Sequence, residues 1–179
     1  MYRLEDVLDL YTQPYDPKRP VICMDETNKQ LISEMKVPIK MKPGQPVKYD
    51  YQYKREGVCN LFMFFEPLRG WRRILVQKHR TKKDWVMCVT TILEKCWDEI
   101  EIMKLVVDNL NTHNPAAFYE FFKPKKARQL LSRLEFHYTP KHASWLNMAE
   151  IDLSVLTRQC LKQRIPSFVK NDQKISQSK

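Results

Sequence analysis

Glycine is nearly missing from this chain: three residues in 179, Gly44, Gly57 and Gly70. A phosphate-cradling P-loop, a dinucleotide fingerprint and a G-x-S-x-G nucleophile elbow all need clustered glycines, so those chemistries are excluded. Each glycine sits in a turn-like setting instead, Lys42-Pro43-Gly44-Gln45-Pro46, Arg55-Glu56-Gly57 and Leu68-Arg69-Gly70-Trp71, where it reads as hairpin punctuation. No C-x-x-C pair occurs. Cys23, Cys59, Cys88, Cys96 and Cys160 are scattered and odd in number, which argues against a structural zinc site. Cys23, Cys59 and Cys88 lie in apolar runs and read as reduced core residues of an intracellular protein. No apolar run approaches the ~18 residues of a membrane helix. The start, Met1-Tyr2-Arg3-Leu4-Glu5-Asp6, is too charged for a signal peptide.

What is present is a 43% hydrophobic chain with a net charge of +10. That is enough apolar material for one core and hence one domain. The basic balance suggests a polyanionic partner, nucleic acid first, with a merely soluble basic protein as the plain alternative.

Periodicity then places the elements. Leu4, Val7, Leu8 and Tyr11 give a short amphipathic helix, and the proline-rich segment 12–20 reads as a linker. Val21 to Met24 is a buried strand. A turn-rich basic stretch with Lys36, Lys40, Lys42 and Lys48 follows. Tyr49 to Arg55 and Val58 to Phe65 flank Gly57 as an expected antiparallel hairpin, and Trp71 to Gln77 is a further strand. Thr81 to Asp98 is a helix with a stripe of Trp85, Val89, Ile92 and Cys96, opened by a Thr81/Asp84 capping box. Met103 to Val107 is a buried strand. Asn114-Pro115 is a helix start, Pro124 an interruption, and Ala127 to Leu134 the continuation. Leu134 to Tyr138 is a short strand and Asn147 to Leu161 a helix. The order β-β-β-α-β-α-β-α predicts a mixed α/β fold of the RNase H-like kind. Its three antiparallel strands come first, then alternating helices and strands. The expected division is a linker helix and Pro-rich linker at 1–20, the RNase H-like domain at 21–166 and a disordered polar tail at 167–179.

Three acids stand out. Asp25 and Asp108 each end an apolar, β-branched run, and Glu150 lies on the last helix. Acids delivered at strand ends with a third from a helix suit a hard divalent cation, which takes oxygen ligands and substrate phosphates. Alternation sends Asp25 and its neighbour Glu26 to opposite faces, so only one can reach a shared site. Glu150 has a second reading, as the N3 partner of an Asn147 helix cap. Asp152 is a rival ligand, roughly 200° around the helix from Glu150.

Basic residues form three clusters: Arg69, Arg72 and Arg73; Lys78, Arg80, Lys82 and Lys83 with His79; and Lys123, Lys125, Lys126 and Arg128. Each reads either as a solvated face or as a phosphate-neutralising patch. His137 in a strand reads as a packed residue, whereas His142 and Trp145 are placed to contact a backbone or stack on a base.

The blocks Cys23-Met24-Asp25-Glu26, Val107-Asp108-Asn109-Leu110-Asn111-Thr112-His113 and His137-Tyr138-Thr139-Pro140-Lys141-His142-Ala143-Ser144-Trp145-Leu146-Asn147-Met148-Ala149-Glu150 resemble the three catalytic blocks of DDE transposases. The likeness is to the mariner-like branch of bacterial insertion-sequence transposases, and it runs from about Asp16 to Pro166. It implies Asp25, Asp108 and Glu150 as ligands of two Mg2+ (or Mn2+) ions. Glu26, Asn109, Asn111, His113, His142 and Asn147 would support that site. Arg72, Arg73, Lys78, Arg80, Lys82, Lys83, Lys125, Lys126, Lys141 and Trp145 would bind DNA. The implied reaction is strand cleavage at the ends of a mobile element, then strand transfer to target DNA. The implied partners are terminal inverted repeats, target DNA and a second copy on DNA, in a bacterial cytoplasm at the nucleoid. Family members begin with helix-turn-helix domains, and this chain starts at what would be the linker helix, so a separately encoded end-binding half is expected. The alternatives are an inactive truncated remnant that only binds DNA, or another RNase H-like nuclease such as a junction resolvase or an RNase H.

Overall fold

The computed structural model describes residues 2–36, 38, 39, 41–46, 48 and 50–167. The expected polar tail lies outside them but for Ser167. A helix, α1 (Tyr2–Thr12), precedes a long strand, β1 (Val21–Glu34). β2 (Tyr53–Glu66) and β3 (Trp71–Gln77) follow, then α2 (Lys82–Lys95) and β4 (Met103–Val107). Two short helices, α3 (Ala117–Phe121) and α4 (Pro124–Leu131), lead to β5 (Leu134–Tyr138). A 3-10 turn at Ser144–Leu146 runs into the last helix, α5 (Met148–Gln159).

The strands form one sheet in the order β3-β2-β1-β4-β5. β1 to β3 are antiparallel neighbours, and β4 and β5 join parallel to β1. This is the RNase H-like arrangement. Side-chain alternation divides its faces. Ile22, Met24, Phe62, Phe64, Leu105 and Val107 pack under α2, α3 and α4, where Trp85 and Phe118 are fully buried. Val21, Cys23, Leu61, Met63 and Val106 face the other way, under Val7 and Leu10 of α1 and Ala149, Leu153 and Leu156 of α5. No helix among the described residues is long and apolar enough to cross a membrane.

Three elements depart from the expected ones. β1 continues ten residues beyond Met24, because the backbone of its polar half pairs with β2 and needs no apolar stripe. Gly57 makes no hairpin turn: it lies inside β2, at φ 113°, where the register slips between Leu31 and Ile32. That is a β-bulge using the one residue tolerant of such a φ. The segment at 114–116 is a turn, with the Asn114 side chain accepting from the Ala116 amide at 2.9 Å, and α3 begins only at Ala117. Elsewhere the caps hold. Thr81 and Asp84 form a reciprocal capping box on α2, and Pro124 opens α4. Of the expected α2 stripe, Trp85, Val89 and Ile92 are buried, whereas Cys96 caps the helix end and is exposed.

Candidate active site

The ladder between β1 and β4 ends with Cys23 beside Val106. Two residues further along each strand stand Asp25 and Asp108. Both follow the alternation of Cys23 and Val106, the side of the sheet that α5 covers. Glu150 sits in the first turn of α5 and is exposed. Asn147 fixes that helix to β1. Its side chain is fully buried, donates to the Met24 carbonyl at 2.8 Å and accepts from the Ala149 amide at 3.2 Å. One asparagine therefore caps the helix that carries Glu150 and pins it beside Asp25. Of the two readings of Glu150, the capping pair does not form: the Asn147 amide donates to the Ser144 carbonyl, and the Asn147 side chain takes the Ala149 amide, not that of Glu150.

Electrostatics report the same convergence. Asp25 is pushed up from 3.8 to about 7, first by burial, then by the negative charges of Asp108, Glu150 and Glu26, against a stabilising bond from the Glu26 amide. Asp108 accepts from the Thr139 hydroxyl at 3.1 Å, which aims its carboxylate from β5. Thr139 was not among the residues singled out, and its place one step past β5 is the only trace it leaves in the sequence. Among the described residues, no three acid, imidazole or thiol groups stand close enough to make a finished metal cage. The donor set still fits a hard divalent cation: three carboxylates, no competing sulfur, and a mutual repulsion that a cation would relieve.

Asp152, the rival ligand, faces away. It pairs with Arg72 at 3.3 Å between α5 and β3, so Arg72 is engaged by a carboxylate within the fold. Glu26 points to the α2 side of the sheet, with its side chain 3% exposed, against His113 at 3.3 Å and Arg80 at 3.6 Å. His113 also meets the Asp108 carbonyl at 3.0 Å and is buried. Asn109 and Asn111 line a polar hollow of about 380 Å³ with His113, Asn114 and Tyr138. His142 is exposed. His137 is packed, as expected, with Nδ1 2.9 Å from Asp6 of α1 and Nε2 3.2 Å from Glu135.

The basic residues divide. Arg73, Lys78, Lys83, Lys125 and Lys141 are exposed, and Trp145 is 64% exposed. Lys82 pairs with Glu120 at 3.2 Å and Lys126 with Glu94. Tyr11, read from the sequence only as part of the apolar stripe of α1, donates to the Leu146 carbonyl at 2.7 Å and touches Cys23 Sγ at 3.2 Å. It ties α1 to the turn that precedes α5.

The family profile described as DDE superfamily endonuclease matches residues 20–171, and the chain belongs to that family. No curated protein matches the sequence significantly. Among solved structures, a Mos1 transposase paired-end complex with left transposon end superposes with a TM-score of 0.63 at 15% identity, over 98% of this chain and 52% of that one. The Mos1 strand transfer complex gives 0.63 at 13% identity, over 98% and 51%. A Mos1 mariner paired-end complex with Mn gives 0.60 at 14% identity, over 98% and 52%. At such identity the likeness establishes the fold, and the chain spans about half the length of these relatives.

Proposed function

We propose that this chain is the catalytic domain of a transposase, and that Asp25, Asp108 and Glu150 hold two Mg2+ or Mn2+ ions for cleavage and transfer of DNA strands. The observation that carries the reading is geometric: Asp25 and Asp108 lie two residues past the end of the β1–β4 ladder, and Asn147, the cap three residues before Glu150, donates to the Met24 carbonyl. The proton affinity of Asp25, raised by burial and then by Asp108 and Glu150, agrees. Three acids far apart in sequence act there on one another. The family membership supports endonuclease chemistry. The related folds solved as transposon-end and strand transfer complexes, and with Mn or Mg, support the substrate and the metals.

Divalent ions bound there would activate the attacking oxygen and steady the leaving one. The protein's own part is placement. β1 and the residue just after β4 carry the two aspartates, Thr139 orients Asp108, and Asn147 holds the first turn of α5 against β1. Exposed Arg73, Lys78, Lys83, Lys125 and Lys141 would neutralise phosphates, and Trp145 would offer a stacking face. The intact assembly would contain terminal repeats, target DNA, a second copy and an end-binding helix-turn-helix part, in the bacterial nucleoid.

The test is Mn2+-dependent cleavage of element-end DNA by wild type and by Asp108→Ala, with any separate end-binding domain supplied. A loss of about a thousandfold is expected, several kcal/mol of barrier. Undiminished activity in the variant would sink the reading.

A further inference from the structure

We propose that Glu26 and His113 form a buried strut that sets the position of Asp108, which makes them positioning residues and not ligands. This rests on the carboxylate-site reading above and adds a second side to it. The strut stands on the face of the sheet opposite Asp25.

The need for it follows from the strands. The β1–β4 ladder stops at Cys23 and Val106, short of both acids. The Met24 carbonyl is taken by Asn147. Beyond the ladder, β1 and the segment after β4 are tied instead through side chains. His113 Nε2 lies 3.3 Å from Glu26 Oε2, and its Nδ1 lies 3.0 Å from the carbonyl of Asp108. Both neighbours are oxygens, and the ring presents one nitrogen to each. Arg80 Nε, 3.6 Å from the other Glu26 oxygen, closes the group at the surface.

The ring has little room to leave. Its side chain is 0% exposed. It stacks on Trp85 at 5.4 Å and 26°, and Trp85 is itself fully buried. The backbone around it is fixed as well. Tyr138 donates to the His113 carbonyl at 2.9 Å, and the Leu110 amide donates to the Asp108 carbonyl at 2.8 Å. With Thr139 on the Asp108 carboxylate, the residue is held at both its main chain and its side chain. Two ionisable groups buried side by side are a costly way to fill space, because apolar residues of similar volume would pack without desolvating charge. Outer contacts of this kind orient metal ligands, and losing them typically weakens metal binding by about 10–100-fold.

The experiment separates positioning from packing in the full-length chain. Mn2+ binding is followed by electron paramagnetic resonance of the free ion, beside thermal melting. His113→Asn keeps an amide donor near the Nδ1 place, toward Asp108, and gives up the reach to Glu26. His113→Gln places its amide near Nε2, toward Glu26, and gives up Asp108. The expected result is that His113→Gln weakens Mn2+ binding by about tenfold or more. His113→Asn should weaken it clearly less, and Glu26→Gln should fall between them. Equal midpoints for the Asn and Gln variants would mean that His113 acts by packing alone, and would overturn the strut. Should the His113 variants fail to fold, Glu26→Gln keeps the volume and carries the test: an unchanged Mn2+ midpoint there overturns it. Asp108→Asn separates the two readings. If it binds Mn2+ like wild type, the carboxylate site fails and the strut with it. If it loses Mn2+ while Glu26→Gln does not, only the strut fails.

Discussion

Asp25 and Glu26 are neighbours in one strand, yet they live in opposite electrostatic worlds. Asp25 points to the α5 side, where the charges that act on it are other carboxylates, and is pushed up to about 7. Glu26 points to the α2 side, where its two oxygens face His113 and Arg80. The pleat of a strand makes this possible, because one residue step reverses the side chain. One face thus satisfies its acid within the fold, while the other keeps a set of acids in mutual repulsion. A site meant for a cation has that second character.

The comparison breaks first where the sealed face is weakest. Trp85 is fully buried and stacks on His113. Trp85→Ala should therefore cost about 3–5 kcal/mol in denaturant unfolding.

The open face should respond in the opposite sense. The folded-state value of Asp25 lies above its ordinary 3.8, so between those values the folded chain binds more protons than the unfolded one. Stability of the metal-free protein should fall as pH rises from about 4 to about 7 through this group. Asp25→Asn removes that cost. In the presence of a chelator it should raise stability at pH 8 by an amount on the order of 1–4 kcal/mol, and the gain should vanish near pH 4. Melting curves at the two pH values check it. Glu26→Gln, on the sealed face, should show no such gain.

Tyr11 sharpens the contrast at a smaller scale. Burial pushes its hydroxyl far above the ordinary value, and the group donates to Leu146. Tyr11→Phe should cost about 1 kcal/mol and loosen α1 from the turn before α5. Hydrogen exchange of the α1 amides reads this directly. The smallest effects belong to surface charge. Lys126 is tied to Glu94, whereas Lys83 and Lys125 are exposed. Replacing Lys83 or Lys125 by Ala should reduce the salt slope of DNA affinity by up to about 0.9, and Lys126→Ala should reduce it less.

Much of the fold was legible along the chain. Trp71–Gln77, Met103–Val107 and Leu134–Tyr138 show themselves as short apolar strands. Thr81 with Asp84 shows where α2 begins, because a cap is a local interaction. The far half of β1 was hidden, since Thr27 to Gln30 are strand only through pairing with Val58 to Leu61. Gly57 misled for the same reason: a glycine with positive φ serves a hairpin or a bulge, and only the partner strand decides which. In the candidate site, Asp25 and Asp108 were visible as acids closing apolar runs and Glu150 as an acid on the last helix, although Asp25 lies inside β1 and not at its end. Some supports were legible too, Asn147 as a helix cap and Glu26 and His113 through the family resemblance, and others were not. Thr139, Tyr11 and the Arg72–Asp152 pair depend on neighbours far along the chain.

The sequence by itself determined which residues alternate, where helices begin and which acids close apolar runs, because those are properties of neighbours a few residues apart. The tertiary structure alone decided what each acid faces. Asp25 met other carboxylates, whereas Glu26 met His113 and Arg80, because strand pairing and helix packing bring together groups that sequence distance separates, and the chemistry of those distant neighbours sets what each acid can do.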